Sequence, residues 1–229
     1  MQWAILALMG TACLMAGRRI RQLRKAGESA AARRCYRLSA WVLGGTILAA
    51  MAVQETILLL SGLLSWQTGL PLHLCSLLGL LTLPALLTRR ETLLDGLLLA
   101  GVPGALLALL FPAALTTPWP RLTLAAFHTL HAGLVCAPLL PLSDGWRPRP
   151  RSALRAWGLL LGAGGAALIA NHLTGGNYLF LSGPVAGTPL IWLARWGRGP
   201  YRLLLAGLAG AVLTLESLVW RHLRPGRTR

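Results

Sequence analysis

Apolar blocks of roughly 18–22 residues recur along almost the whole chain, and this pattern constrains the fold more than any other feature. The 229 residues are 55% hydrophobic and only 12% charged, whereas soluble domains usually carry about 25% charged residues. This composition excludes a secreted disulfide scaffold, a soluble enzyme and a disordered tail. The sequence therefore predicts a single domain, residues 1–229, that is embedded in a membrane.

The fold class predicted from these blocks is all-α, a bundle of about seven transmembrane helices. The predicted spans are Trp3–Ala16, Leu38–Leu60, Leu70–Leu87, Leu93–Leu110, Leu122–Leu140, Ala153–Leu173 and Tyr201–Trp220. Three segments between and after them stand out: a basic loop at residues 18–37, a loop rich in Gly, Pro, Ser and Asn at residues 174–200, and a basic tail at residues 221–229.

The distribution of positive charge predicts the orientation of the chain. Of the 22 lysines and arginines, 18 lie on the side of the odd-numbered loops and the tail, and only four lie on the side of the even-numbered loops. Because cytoplasmic loops carry the excess of basic residues, we expect the C-terminus to be cytoplasmic and the N-terminus to lie outside. Asp95, near the cytoplasmic end of the fourth span, is expected to be neutralised by Arg89 and Arg90.

Several ionisable or polar side chains fall inside the predicted spans, where each costs about 2.5–3.5 kcal/mol on insertion scales. Most of them share one depth, in the outer half of the predicted bilayer. They are Glu55, His73, Cys75, His128, His131 and His172, and Asn177 follows in the outer loop. His128 and His131 are three residues apart and thus share a helix face. This arrangement predicts a cavity that opens to the outside.

The four cysteines are predicted to lie at different depths, so that no pair is placed to form a disulfide. Nor does any CxxC pattern indicate a structural zinc site. Only Cys75 lies among histidines, where a neighbouring imidazole could generate the nucleophilic thiolate. The alternative is that Cys75 is a small inert hydrophobic residue, as buried cysteines usually are.

Three motifs in order along the chain resemble those of a known family. They are Leu-Pro-Leu-His73-Leu-Cys75-Ser, the span with His128 and His131, and Gly-Asn177-Tyr-Leu-Phe-Leu-Ser-Gly-Pro184. Together they resemble the YwaF-type bacterial integral membrane proteins, which are related to the eukaryotic transmembrane protein 164 family. The resemblance runs from about Trp41 to Ala211. It implies a multi-pass protein of the bacterial inner (plasma) membrane.

The resemblance also implies an activity, because the eukaryotic relatives are described as acyltransferases that move a fatty acyl chain between phospholipids. Cys75 matches their nucleophile, His131 their catalytic histidine, and Asn177 a polar position of the outer loop. In such a reaction Asn177 or His73 could donate a hydrogen bond to the oxyanion. The expected partners are membrane phospholipids, with anionic headgroups at the basic cytoplasmic loops. No cofactor, metal or nucleic acid is expected.

Two other interpretations remain open at this point. The histidines and one acid could instead bind zinc and activate a water for lipid hydrolysis; the candidate ligands are His73, His128, His131, His172 and Glu55. A carrier or binding protein for a lipid or solute is the third interpretation. The inner halves of the third, fifth and sixth spans are plain Leu, Ala and Gly, and this disfavours a path through the membrane.

Overall fold

A computed structural model describes residues 1–112, 117–184 and 188–222, and within these ranges the chain is helical, with no β-strand. The helices are α1 (Gln2–Lys25), α2 (Ser29–Leu60), α3 (Leu74–Thr88), α4 (Glu91–Gly96), α5 (Val102–Leu110), α6 (Pro120–Cys136), α7 (Leu139–Ser143), α8 (Ser152–Thr174) and α9 (Arg198–His222). A π-helical turn, Leu97–Gly101, joins α4 to α5, and short 3₁₀ helices occupy Tyr178–Phe180 and Pro189–Trp196.

The long helices alternate in direction, so the connections gather at two ends of the bundle. The arginine end holds residues 26–28, 89–90 and 144–151, which connect α1 to α2, α3 to α4 and α7 to α8. The loop end holds residues 61–73, which precede α3, and residues 175–197, which connect α8 to α9. The charge distribution predicts that the arginine end is cytoplasmic.

The helices confirm the membrane class predicted from composition. In the part of the chain that the structure describes, six helical segments are long and apolar enough to cross a membrane. They are Gln2–Lys25, Ser29–Leu60, Glu91–Leu110, Pro120–Ser143, Ser152–Thr174 and Arg198–Trp220. The remaining predicted span corresponds to α3, which is apolar but has only 15 residues.

The basic segment predicted as a loop at residues 18–37 is mostly helical. Helix α1 continues to Lys25 and α2 begins at Ser29, so only residues 26–28 connect them. Arginine and lysine are good helix formers, and their long side chains reach headgroup depth from a helix that continues past the apolar core. The outer loop also contains two short helices, and α9 begins within it, at Arg198. The tail beyond His222 lies outside the described residues.

Helix α6 lies at the centre of the bundle, with α1, α2, α3 and α5 packed around it. Glycines permit this close packing. A Cβ on Gly133 would lie 2.5 Å from Ile47 Cγ1 of α2, and a Cβ on Gly44 would lie 2.8 Å from Leu83 Cβ of α3. Because real Cβ contacts are never so short, the backbones approach only where the side chain is a hydrogen.

Ion pairs hold the arginine end together. Arg24 of α1 and Arg89 after α3 both pair with the carboxylate of Asp144, whose side chain is fully buried. The guanidinium of Arg89 also lies over the ring of Tyr36, 4.9 Å from its centre. These contacts join α1, α2 and α3 to the segment that follows α7.

A second ion-pair group joins α4 to α8 at the same end. Arg155 donates to Asp95 at 2.5 Å and pairs with Glu91 at 2.9 Å. The prediction that Arg89 and Arg90 neutralise Asp95 is therefore wrong, because Arg89 is turned toward Asp144. Sequence proximity favoured these two arginines, but α8 brings Arg155 closer.

Candidate functional site

The third span begins later than predicted, and this difference sets the geometry around Cys75. Leu70–His73 is not helical: His73 is the N-cap of α3, with extended backbone angles, and Cys75 lies in the first turn of α3. Proline at position 71 has no N–H to give to a helix. Because His73 lies outside the helix, its ring and the Cys75 side chain follow different backbone directions. The His73 ring contacts the outer loop, whereas the Cys75 side chain packs against the hydrophobic core.

The ring of His73 packs against two aromatic rings of the outer loop. Its centre lies 5.2 Å from that of Tyr178 and 5.3 Å from that of Phe180. Tyr178 is fully buried, and its hydroxyl donates to the carbonyl of Trp66 at 2.8 Å and accepts from the N–H of Leu70 at 3.0 Å. The loop between α8 and α9 is thus attached to the segment that leads into α3.

Two asparagine side chains hold this loop in shape. Asn171, in the last turn of α8, donates to the Tyr178 carbonyl at 3.0 Å and accepts from the Tyr178 N–H at 2.6 Å. Asn177 donates to the Gly183 carbonyl at 2.9 Å and accepts from the N–H groups of Ser182 and Gly183. The amide of Asn177 therefore uses its nitrogen and its oxygen in hydrogen bonds within its own loop.

The loop holds two consecutive residues in left-handed backbone conformations. Leu179 has φ 52° and Phe180 has φ 57°, a region that costs a non-glycine residue roughly 1–2 kcal/mol. The Tyr201 hydroxyl donates to the Phe180 carbonyl at 2.8 Å, and Arg202 Nε donates to the Leu181 carbonyl at 2.7 Å. These bonds from α9 stabilise the strained turn that presents Phe180 to His73.

Cys75 lies on the face of α3 that meets α2 and α6. A Cβ on Gly79, one turn further along α3, would lie 2.6 Å from Met51 Sδ and 3.1 Å from Leu130 Cδ1. Since residues four apart share a helix face, Cys75 lies one turn nearer the loop end than this contact. It is partly buried and packs against the hydrophobic core. In the described part of the chain its thiol makes no hydrogen bond.

His131 follows Leu130 on α6 and is 5% exposed. Its Nδ1 lies 2.7 Å from the carbonyl oxygen of Phe127, and the two rings are 4.1 Å apart. Because a carbonyl oxygen can only accept, Nδ1 carries the hydrogen of the neutral imidazole, and Nε2 has the free lone pair. Side chains on a helix lean toward its N-terminus, and for α6 this direction is the loop end, where Cys75 lies.

The other predicted site residues are dispersed. His128 is 2% exposed, and its Nδ1 is buried without a hydrogen-bond partner among the described residues. Glu55 is partly buried, one turn from Met51 on α2, and thus at the level of Cys75. His172 is exposed in the last turn of α8. The structure therefore brings His73, Cys75, His131 and Glu55 to the loop-end half of the bundle, while His172 points away.

The described residues do not include three His, Cys, Asp or Glu side chains close enough together to hold a metal ion. The zinc interpretation thus lacks a preformed ligand set here. Two apolar hollows of about 320 and 350 Å³ lie between α2 and α6 and share Val53 and Leu122 in their linings. None of the predicted site residues lines these two hollows.

Sequence reasoning missed the residues that build the loop end. The sequence pattern does not indicate that the Asn171 side chain pairs with the backbone of Tyr178. Nor does it indicate that Cys13 of α1 and Cys136 of α6 lie next to each other.

These observations define the class: a polytopic helical membrane protein. The model of the TMEM164 family matches residues 1–219, and the chain belongs to that family. The match includes α1, whereas the resemblance in sequence motifs began only at about residue 41. No curated protein and no solved structure shows a significant match to the chain.

Proposed function

We propose that this protein is a phospholipid acyltransferase in which Cys75 is the nucleophile and His131 is the general base. The observation that carries the proposal is the position of Cys75, which faces α6 one turn from the contact between Gly79 and Leu130. His131 follows Leu130 directly, and its free Nε2 lone pair suits it to take a proton. Membership of the TMEM164 family supports the same function.

In the first half-reaction the Cys75 thiol attacks the ester carbonyl of a donor phospholipid. The thiol proton passes to Nε2 of His131 as the S–C bond forms, and His131 then protonates the departing glycerol oxygen as the C–O bond breaks. The products are an acyl thioester on Cys75 and a lysophospholipid. In the second half-reaction the hydroxyl of an acceptor lysophospholipid attacks the thioester, and the proton returns through His131 to the Cys75 sulfur.

His73 is the better candidate of the two for stabilising the oxyanion. It lies just before α3, two residues from Cys75, and its ring is held between Tyr178 and Phe180. The Asn177 amide already bonds to Ser182 and Gly183. We assign His73 to the oxyanion and Asn177 to the shape of the loop that positions it. Burial in an apolar site also limits attack by water and favours transfer over hydrolysis.

We also propose that the loop end faces the outside of a bacterial inner membrane, as the positive charge predicts. Glycerol esters lie at the level of the bilayer interface, and Trp66, Trp192 and Trp196 are exposed at the loop end. Tryptophan is enriched at that level. A phospholipid in the outer leaflet would thus present its ester bonds near the end of the bundle that carries His73 and Cys75.

The test is to detect the acyl enzyme on purified protein in phospholipid nanodiscs. Intact mass is read before and after hydroxylamine for wild type, Cys75→Ala, His131→Ala and, as the matched control, Cys35→Ala. We expect an added acyl mass on wild type and Cys35→Ala that hydroxylamine removes, none on Cys75→Ala, and a rate lowered by roughly 10²–10⁴-fold in His131→Ala.

Two results would contradict the proposal in different ways. Release of lysophospholipid by Cys75→Ala at the wild-type rate, with bound zinc in the purified protein, would support the metal-dependent hydrolase instead. If wild type shows neither an adduct nor turnover across a broad panel of phospholipids, a binding or carrier role takes its place.

A further inference from the structure

Two buried thiols meet where α1 packs against α6. Cys13 is 6% exposed and Cys136 is 1% exposed, and their side chains lie next to each other. Glycines lie on both sides of the pair: a Cβ on Gly10 would lie 3.9 Å from Cys136 Sγ, and a Cβ on Gly133 would lie 3.4 Å from Met9 Cε. The two helix backbones thus come close together at the level of the sulfurs.

We propose that Cys13 and Cys136 form a reversible disulfide that ties α1 to α6, with a membrane quinone as the oxidant. The two thiols lose two protons and two electrons as the S–S bond forms, and the quinone takes up both and leaves as the quinol. A disulfide needs close, facing side chains on backbones a few ångströms apart, and the α1–α6 contact supplies them. The proposal goes beyond acyl transfer and does not depend on it.

Burial decides which oxidant reaches the pair. Both sulfurs lie in the apolar interior of the bundle, away from the water at either end. A charged, water-soluble disulfide such as oxidised glutathione is excluded from this region because burying its charges is costly. A quinone dissolves in the bilayer, where the two sulfurs lie, and it accepts the two electrons that formation of one disulfide releases.

The pair is also separate from the other two cysteines. Cys75 lies on α3 and Cys35 near the start of α2, and neither thiol has a cysteine partner among the residues that the structure describes. Cys136 is the last residue of α6, the helix that carries His131. Oxidation would therefore anchor the end of that helix to α1 and leave the Cys75 thiol free.

The experiment counts free thiols by mass. Protein in detergent micelles free of phospholipid is treated with hydroxylamine to remove any acyl group, reduced with dithiothreitol and desalted. It is then exposed to a short-chain ubiquinone analogue, denatured in acid and alkylated with N-ethylmaleimide. The chain has four cysteines, so the reduced wild type takes up four labels, and we expect two labels after the quinone. Dithiothreitol added after oxidation restores four, and peptide mapping places the bond between Cys13 and Cys136.

Cysteine variants distinguish the Cys13–Cys136 disulfide from oxidation at the other cysteines. Cys13→Ser should keep all three of its labels after the quinone, whereas the control Cys35→Ser should fall from three labels to one. Four labels on oxidised wild type, a bond mapped to Cys35 or Cys75, or a covalent dimer would each overturn the proposal. Mapping on the wild type decides the question even if a variant fails to fold. None of these readouts depends on lipid turnover.

Discussion

The two ends of the bundle are built from different interactions. In residues 1–112, 117–184 and 188–222, every ion pair lies at the arginine end, where Asp144 and Asp95 are buried against arginines. The loop end is held instead by hydroxyl and amide side chains that bond to the backbone, above all those of Tyr178, Asn171 and Asn177. Among the described residues it also holds two consecutive left-handed non-glycine residues, Leu179 and Phe180, whereas the arginine end holds one, Arg89.

The difference indicates which end is suited to stability and which to chemistry. A buried carboxylate between two guanidinium groups costs several kcal/mol if one partner is lost, so it fixes the helices that meet there. A loop held by neutral hydrogen bonds, each worth about 1 kcal/mol, opens locally at a lower cost. The loop end, which carries His73 and Cys75, is therefore the end that opens at the lower cost.

The largest effect on stability is expected for Asp144→Asn. The change leaves Arg24 and Arg89 facing each other without a counter-charge, and we expect a loss of about 2 kcal/mol in the free energy of unfolding. This is less than for a fully buried pair, because the two arginine side chains are 41% and 36% exposed. Unfolding in detergent micelles measures it. The control Glu91→Gln alters the pairs with Arg149 and Arg155 around a carboxylate that is 33% exposed, and it should cost under about 1 kcal/mol. Equal losses would show that burial of Asp144 is unimportant.

A smaller effect is expected for Gly176→Ala at the loop end. Its Cβ would lie 2.9 Å from the Gln67 carbonyl oxygen and 3.1 Å from the Tyr178 ring, so the backbone must shift, at about 1–2 kcal/mol. The matched control is Gly183→Ala, because nothing lies within 4 Å of its Cβ position. We expect Gly176→Ala to slow acylation of Cys75 as well as lower the melting temperature. If Gly176→Ala and Gly183→Ala slow acylation equally, the close approach of Gly176 to the Gln67 carbonyl is not the cause.

The smallest effect on overall stability is expected for Tyr178→Phe. The variant keeps the ring beside His73 but loses the hydroxyl bonds to Trp66 and Leu70, at about 1 kcal/mol. Hydrogen exchange read by mass spectrometry should rise in residues 66–70 and 178–181 and stay unchanged in α1 and α6. If exchange rises throughout the bundle, the loop end is not a separate unit of local stability, and the contrast between the two ends fails.

Several features of the fold followed from the sequence because they depend on composition along the chain. Long apolar blocks cannot stay in water, and a bilayer requires their backbone groups to bond internally, so helices were the predicted outcome. Each predicted span corresponds to a helix or a pair of short helices. The third span was predicted to begin at Leu70, but its helix begins at Leu74, after Pro71.

The partners of particular side chains could not be predicted, because they depend on which helix faces which. Arg89 follows α3 directly, yet it pairs with Asp144, which is 55 residues away in sequence. Cys13 and Cys136 are 123 residues apart in sequence, and they lie next to each other because α1 packs against α6.

The amino-acid order alone was enough to establish a helical membrane protein and the unequal distribution of its charges. These are properties of local segments, and the energy of transfer from water to lipid acts on each segment separately. The tertiary structure determined which side chains are in contact: His73 packs against Tyr178 and Phe180, and Asp144 pairs with Arg24 and Arg89. It also left His172 exposed. That selection arises from the packing of helices against one another, which no single segment encodes.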